Sequence, residues 1–140
     1  MVDIVTANSF SLQDLQVHFY KPRTKIGKLC RYLTFSTYIH CLTEVDGVFL
    51  DISLFKKSKW YPSDVLDRQG NTPDSTITLR IPKRDYIEYL DTLSLTNRSF
   101  SYRLTCIRLS KELVYHLTGV QYKGWNVDGY KRCLEQASLA

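Results

Sequence analysis

The chain has 140 residues, of which 44% are hydrophobic and 24% are charged, and its formal net charge at pH 7 is +5. This length suits a single domain with one core, and this composition excludes an intrinsically disordered chain. No apolar run approaches the ~20 residues of a membrane-spanning helix, so we expect no membrane span. We predict one domain over residues 1–140, with residues 1–14 as a flexible N-terminal segment.

The N-terminal sequence and the cysteine spacing indicate the cellular compartment. Residues 1–16 include an early acidic residue and no continuous apolar stretch, unlike a secretory signal, which predicts a cytoplasmic protein. The cysteines lack CxxC spacing, which argues against a zinc site, and in a reducing compartment they stay thiols. We expect no metal and no cofactor, so each cysteine is either core or a nucleophile: Cys30, Cys41, Cys106 and Cys133.

The first predicted elements are a strand and a helix. Residues 15–20 alternate apolar and polar side chains, which is typical of a half-buried strand. Thr24 is suited to cap a helix after it. Four apolar residues recur there at helical spacing and are predicted to face the core: Ile26, Leu29, Cys30 and Leu33.

A basic cluster surrounds this helix. The ordinary interpretation of such a cluster is a solvated surface, and the functional alternative is a face for an acidic protein, with nucleic acid the less favoured partner. Its members are Lys21, Arg23, Lys25, Lys28 and Arg31.

A hairpin follows. Residues 37–43 and 48–54 are rich in strand-forming residues, and the Asp-Gly dipeptide between them is a strong hairpin signal. Residues 56–75 contain many Lys, Ser, Pro, Asp and Gly residues, which predicts a loop forming a rim or lid beside a site.

The C-terminal half predicts one strand and three helices. Residues 76–81 alternate as a strand, and Pro82 is predicted to begin a helix with one apolar face. Residues 99–104 are predicted to be extended. A further helix opens at Cys106 and ends at Gly119, and a short last helix packs Cys133 and Leu134 inward.

Cys106 is the candidate nucleophile. At the start of a helix its thiol lies at the positive end of the helix dipole, which favours the thiolate. His116 cannot be its base, because ten helical residues separate them by ~15 Å along the axis. His40 is the predicted base, and His18 is a reserve candidate.

The hairpin register predicts a third member of the site. With Asp-Gly as the turn, His40 stands opposite Ser53, and Asp51 is its diagonal neighbour on the same face. Asp51 is therefore predicted to orient the imidazole, with Ser53 the weaker candidate. Cys41 points to the other face and is predicted to be core. By residue type alone, a cysteine on an apolar stripe and a histidine in a strand are more often structural.

The segment VHFYKPRTKIGKLCRYLTFSTYIHCLTEVDGVFLDIS and the later helix resemble the circularly permuted papain-like hydrolases. That group holds bacterial and phage amidase-like proteins and the lecithin:retinol acyltransferase-like enzymes. The resemblance spans residues 16–134 and rests on the order and spacing of short motifs. The matching positions are His40, Asp46 and Gly47, Asp51, Cys106, and residues 117–119.

The resemblance implies an α+β fold in which a small antiparallel sheet packs against helices, the cysteine helix among them. It implies catalysis by Cys106 with His40 and Asp51 on an amide, ester or thioester of an unspecified peptide or acyl substrate. For a chain of phage origin it implies the host cytoplasm. Ile39 and Thr105 depart from the Ser and Asn common in relatives. The alternative hypothesis is a non-catalytic basic protein of this fold that binds an acidic protein or nucleic acid.

Overall fold

The computed structural model describes residues 12–23, 36–52, 57–65, 72–83, 86–98 and 106–139, and the single residues 25, 28, 29 and 32. These residues form an α+β arrangement of one antiparallel sheet and three helices. The strands are β1 (Leu12–Tyr20), β2 (His40–Val45), β3 (Val48–Asp51), β4 (Lys59–Pro62) and β5 (Ser75–Pro82). The helices are α1 (Ile87–Thr92), α2 (Cys106–Thr118) and α3 (Val127–Leu139).

The sheet has the order β4-β3-β2-β1-β5, with every neighbouring pair antiparallel. The alternation in β1 places Leu15, Val17 and Phe19, all fully buried, in the main core. Helix α2 contacts β2 and β3, and α3 contacts β5. The α+β class and the packing of the cysteine helix on the sheet are therefore as predicted.

The β2–β3 hairpin has the predicted register. Val45 pairs with Val48 and Thr43 pairs with Leu50. Asp46 and Gly47 both adopt positive φ, 54° and 80°, as a two-residue hairpin turn of type I′ requires. The Asp46 side chain also accepts a hydrogen bond from the N–H of Tyr86 at 3.0 Å, which ties the turn to the start of α1.

Three local predictions were wrong. The predicted loop over 56–75 contains strand β4, a four-residue edge strand that is too short to show a period. Pro82 ends β5 instead of starting a helix, and α1 begins at Ile87. Leu29 is 57% exposed, because it lies on a solvent-facing helical face with Lys25, Lys28 and Tyr32.

One prediction concerned a segment that is partly in the sheet, and others concern residues outside the described ranges. Strand β1 begins at Leu12, so residues 12–14 of the N-terminal segment belong to the sheet. The predicted extended piece over 99–104 lies outside the described residues, as do Thr24, Ile26, Cys30, Arg31 and Leu33.

Candidate active site

Helix α2 places Cys106 beside the start of strand β2. The apolar stripe of the helix, with Leu109 2% and Leu113 0% exposed, packs into the core. Gly119 ends the helix with a φ of 78° and donates its N–H to the carbonyl of Tyr115. Cys106 is the first residue of the helix, and its Sγ lies 3.9 Å from the carbonyl oxygen of Ile39.

His40 and Asp51 meet across the hairpin. His40 Nε2 lies 3.0 Å from Asp51 Oδ1, and the two side chains are 31% and 28% exposed. This contact follows from the register, because diagonal neighbours on one face of a sheet are within reach of long side chains. Asp51 therefore holds one nitrogen of the imidazole in place.

The His40 ring and the Cys106 thiol form a charged pair. Burial by itself lowers the pKa of His40, but the charge of the Cys106 thiolate and hydrogen bonds with Asp51 and Cys106 raise it to about 10. The pKa of Cys106 is shifted in the opposite direction, well below the ordinary value for a thiol. These opposite shifts favour a proton on His40 and a thiolate at Cys106.

Cys41 lies in the main core, as predicted, and it is also a neighbour of Cys106. The hydrogen bond from its side chain is the largest cause of the lowered pKa of Cys106, ahead of the opposing effect of burial and the charge of His40. The same contact, together with burial, raises the pKa of Cys41, so Cys41 keeps its proton. Strand alternation places Cys41 in the core and His40 on the opposite face. Cys106 lies beside the start of β2, where it is close to both residues.

Behind the cysteines a buried polar chain joins β2, α2 and α3. Ser110 Oγ lies 2.6 Å from Thr43 Oγ1 and 2.8 Å from the hydroxyl of Tyr130. All three residues are at most 3% exposed, so each hydroxyl depends on the others for hydrogen bonding. The chain sets the position of α2, and therefore of Cys106, on the sheet.

The segment that leads into β2 is held by the start of α3. Asp128 accepts hydrogen bonds from the N–H groups of Thr37 at 2.7 Å and Tyr38 at 2.9 Å. Ser36 Oγ donates to the carbonyl of Tyr38 and accepts from the N–H of Asp128. Burial raises the pKa of Asp128, but these hydrogen bonds outweigh it and the pKa is lowered. His40, two residues further on, is thereby fixed from outside the hairpin.

The other candidate histidines lie away from the pair. His18 is 7% exposed and bonds Thr76 through Nδ1 and Glu44 through Nε2, both at 2.9 Å. Its hydrogen bond lowers the pKa of Glu44. His116 is exposed near the end of α2. Ser53 lies outside the described residues.

Tyr20 is a neighbour that the sequence did not point to. It stands directly opposite His40 in the β1–β2 ladder, with ring centroids 6.0 Å apart. Its hydroxyl is buried and has no hydrogen-bond partner among the described residues, and burial together with the Asp51 charge raises its pKa to about 12. Cys41, Tyr20 and Asp128 were missed because strand alternation describes faces and not what packs over the end of a strand.

Comparisons with protein-family models, with curated proteins and with solved structures found no match for this chain. Among the described residues, no three His, Cys, Asp or Glu side chains are grouped so that they could hold a metal ion. No helix in the described ranges combines the length and apolar character needed to cross a membrane. The described residues thus form an α+β fold in which His40 contacts Asp51 and lies beside Cys106.

Proposed function

We propose that this protein is a cysteine-dependent hydrolase or acyltransferase with a permuted papain-like fold, acting on an amide, ester or thioester. Cys106 is the nucleophile, His40 the acid and base, and Asp51 the residue that orients His40. The observation that carries the proposal is the linked arrangement of the Cys106–His40 pair and the 3.0 Å contact between His40 and Asp51.

In the proposed reaction, the Cys106 thiolate attacks the carbonyl carbon of the substrate. The tetrahedral intermediate collapses, the bond to the leaving group breaks, and His40 gives its proton to that group. A thioester with Cys106 remains. Water or an amine, deprotonated by His40, then attacks the thioester and releases the thiolate. The first N–H groups of a helix have no acceptor within it, and in the proposed reaction those of α2 stabilise the oxyanion.

Acylation by p-nitrophenyl acetate tests this proposal without knowledge of the substrate. We expect mass spectrometry of digested protein to find the acetyl group on Cys106. His40→Ala should slow acylation by about 10²–10⁴-fold, the usual effect of losing general acid–base help. The control is Cys133→Ala, since Cys133 donates to the carbonyl of Gln121 away from the site. Acylation that is unchanged in His40→Ala, or that falls on Cys133, would contradict the proposal.

The cellular location is part of the same proposal. Cys41, Cys106 and Cys133 are all free thiols, and the proposed chemistry needs a reduced Cys106. A reducing compartment such as the cytoplasm keeps thiols in that state. We therefore propose that the protein acts there.

A second candidate function rests on the exposed basic surface. Lys21, Arg23, Lys25 and Lys28 are exposed in the described part of the chain, although Arg23 pairs with Asp74 at 3.2 Å. Such a surface suits an acidic protein or nucleic acid. Binding of single-stranded DNA should then weaken steeply between about 50 and 200 mM salt. No binding at the lower salt would remove the nucleic-acid version.

A further inference from the structure

A cavity of about 520 Å³ opens beside the edge strand β4. Among the described residues that line it, two lysines contribute cations, the others contribute hydroxyl and amide groups, and none is Asp or Glu. The lining residues are Lys57, Ser58, Lys59, Tyr61, Thr96 and Asn97. A cavity of this size suits a small ligand or one or two residues of a peptide, and this lining favours an anion.

The wall of the cavity is held in shape before any ligand binds. Ser58 is 1% exposed, and its Oγ donates to the carbonyl of Leu95 at 2.7 Å and accepts from the N–H of Arg98 at 2.9 Å. The backbone of Ser58 also donates to Arg98 and accepts from Asn97, both at 2.8 Å. Asn97 adopts a φ of 61° in this turn. These four hydrogen bonds fix residues 95–98 against β4.

The paired strands β3 and β4 connect the cavity to the candidate active site. Lys59 stands directly opposite Asp51 in the β3–β4 ladder. Side chains of directly paired residues lie on the same face with Cβ atoms about 4.5–5.5 Å apart. The Nζ of Lys59 lies 5.7 Å from the centre of the Tyr61 ring, on the same side of the strand. The positive cavity therefore begins next to the carboxylate that holds His40.

We propose that this cavity binds a carboxylate of the substrate, held by Lys57 and Lys59, so that the substrate is an acidic peptide. The inference rests on the proposed function, because it treats the cavity as a subsite of the Cys106 reaction. A peptide supplies both groups that the two regions fit, an amide carbonyl for the thiolate and a side-chain carboxylate for the lysines.

The test is an NMR titration of Cys106→Ser protein with N-acetyl-glutamyl-glutamate. This variant cannot form the thioester, so binding is measured apart from catalysis. At about 10 mM, enough to fill most of a ~1 mM site, the peptide should shift the amide signals of Ser58, Thr96 and Asn97. Lys57→Gln with Lys59→Gln should weaken binding at least about tenfold, the effect of losing ~1.4 kcal/mol of charge-assisted hydrogen bonding. Lys83→Gln with Lys123→Gln removes the same charge from exposed positions elsewhere and should leave binding unchanged.

Three results would overturn the inference: no shift at these amides, equal binding of N-acetyl-glutaminyl-glutamine amide, or binding of inorganic phosphate without binding of the acidic peptide. The uncharged ester p-nitrophenyl acetate does not need the cavity. Acylation of Cys106 by that ester in the double lysine variant therefore separates failure of this inference from failure of the proposed function.

Discussion

At the scale of single residues, the site depends on how three side chains divide two protons. The lowered pKa of Cys106 and the raised pKa values of His40 and Cys41 favour a thiolate at Cys106, a proton on His40 and a thiol at Cys41. A second thiol beside the nucleophile therefore acts as a hydrogen-bond donor. Cys41 is therefore a positioning residue that lowers the pKa of Cys106. It does not need to contact the substrate carbonyl.

Replacing Cys41 should make Cys106 less reactive at low pH. Without the effect of Cys41, the pKa of Cys106 rises and a smaller share of Cys106 is thiolate, so alkylation of Cys106 by iodoacetamide at pH 6 should slow in Cys41→Ala. Peptide mass spectrometry across pH measures this rate, with Cys133→Ala as the control. A Cys41→Ala protein that alkylates at Cys106 with the wild-type pH profile would show that the contact has no effect on the thiolate.

The charged pair should also give stability a defined pH dependence. The pKa of His40 is raised from 6.5 to about 10, so its contribution is complete below 6.5 and is lost as pH rises to about 10. The pKa of Cys106 is lowered from 9.0, so its contribution is complete above 9.0 and is lost as pH falls through the lowered pKa. Between 6.5 and 9.0 the two slopes cancel, so the pair contributes most in this window and less on either side.

Urea unfolding at a series of pH values measures this dependence. The relevant quantity is the free energy of unfolding of the wild type minus that of His40→Gln with Cys106→Ala. This difference should be level between pH 6.5 and 9.0 and should decline above and below. A difference that rises steadily through pH 10 would mean that His40 is not protonated beside Cys106.

At the scale of elements, the contacts between β2, α2 and α3 decide where the nucleophile lies. The apolar stripe of α2 directs the helix toward the sheet, but a stripe allows sliding along its axis. Hydroxyl groups have directional hydrogen bonds, and the Thr43–Ser110–Tyr130 chain therefore fixes the depth at which α2 sits. Ser110 is the shared member of this chain.

Ser110→Ala should therefore destabilise the fold and disturb the site. It leaves the buried hydroxyls of Thr43 and Tyr130 each without one partner, which costs about 1–3 kcal/mol. Urea unfolding should show this loss, and alkylation of Cys106 should slow. Ser138→Ala is the control, because Ser138 is exposed and bonds only locally to Glu135. Equal stability of the two variants would mean that the hydroxyl chain does not hold α2 in place.

At the scale of the whole molecule, the site is closed by contacts between distant parts of the chain. Asp128 lies in the first turn of the last helix and holds the segment before β2, some 90 residues earlier in the sequence. One core encloses residues from β1 to α3, including Leu15 and Leu134. The position of His40 is therefore a property of the complete fold.

Asp128→Ala should weaken both stability and reactivity. The N–H groups of Thr37 and Tyr38 lose their acceptor, which should cost about 1–3 kcal/mol of unfolding free energy. The freed segment should also loosen His40 and slow alkylation of Cys106 at pH 6. Asp91→Ala, at an exposed position in α1, should change neither property. A stable Asp128→Ala protein with wild-type alkylation would remove this residue from the support of the site.

Local interactions made several features predictable from the sequence. Alternation identified β1 and β5, the Asp-Gly turn determined the β2–β3 register, and that register placed Asp51 beside His40. Helical periodicity and Gly119 delimited α2. These patterns depend on residues near one another in the chain, and the same residues carry their physical causes.

The three-dimensional packing decided what the patterns left open. The edge strand β4 exists because it pairs with β3, and four residues of mixed polarity carry no period that predicts it. Cys41 meets Cys106 only because α2 crosses the end of β2, a position that alternation within the strand cannot describe. The sequence by itself determined β1, β5, the β2–β3 hairpin, α2 and the Asp51–His40 face, since those follow from local backbone geometry. Only the tertiary structure decided which thiol holds the charge, because burial and neighbouring hydrogen bonds set a pKa, and both arise from contacts between distant segments.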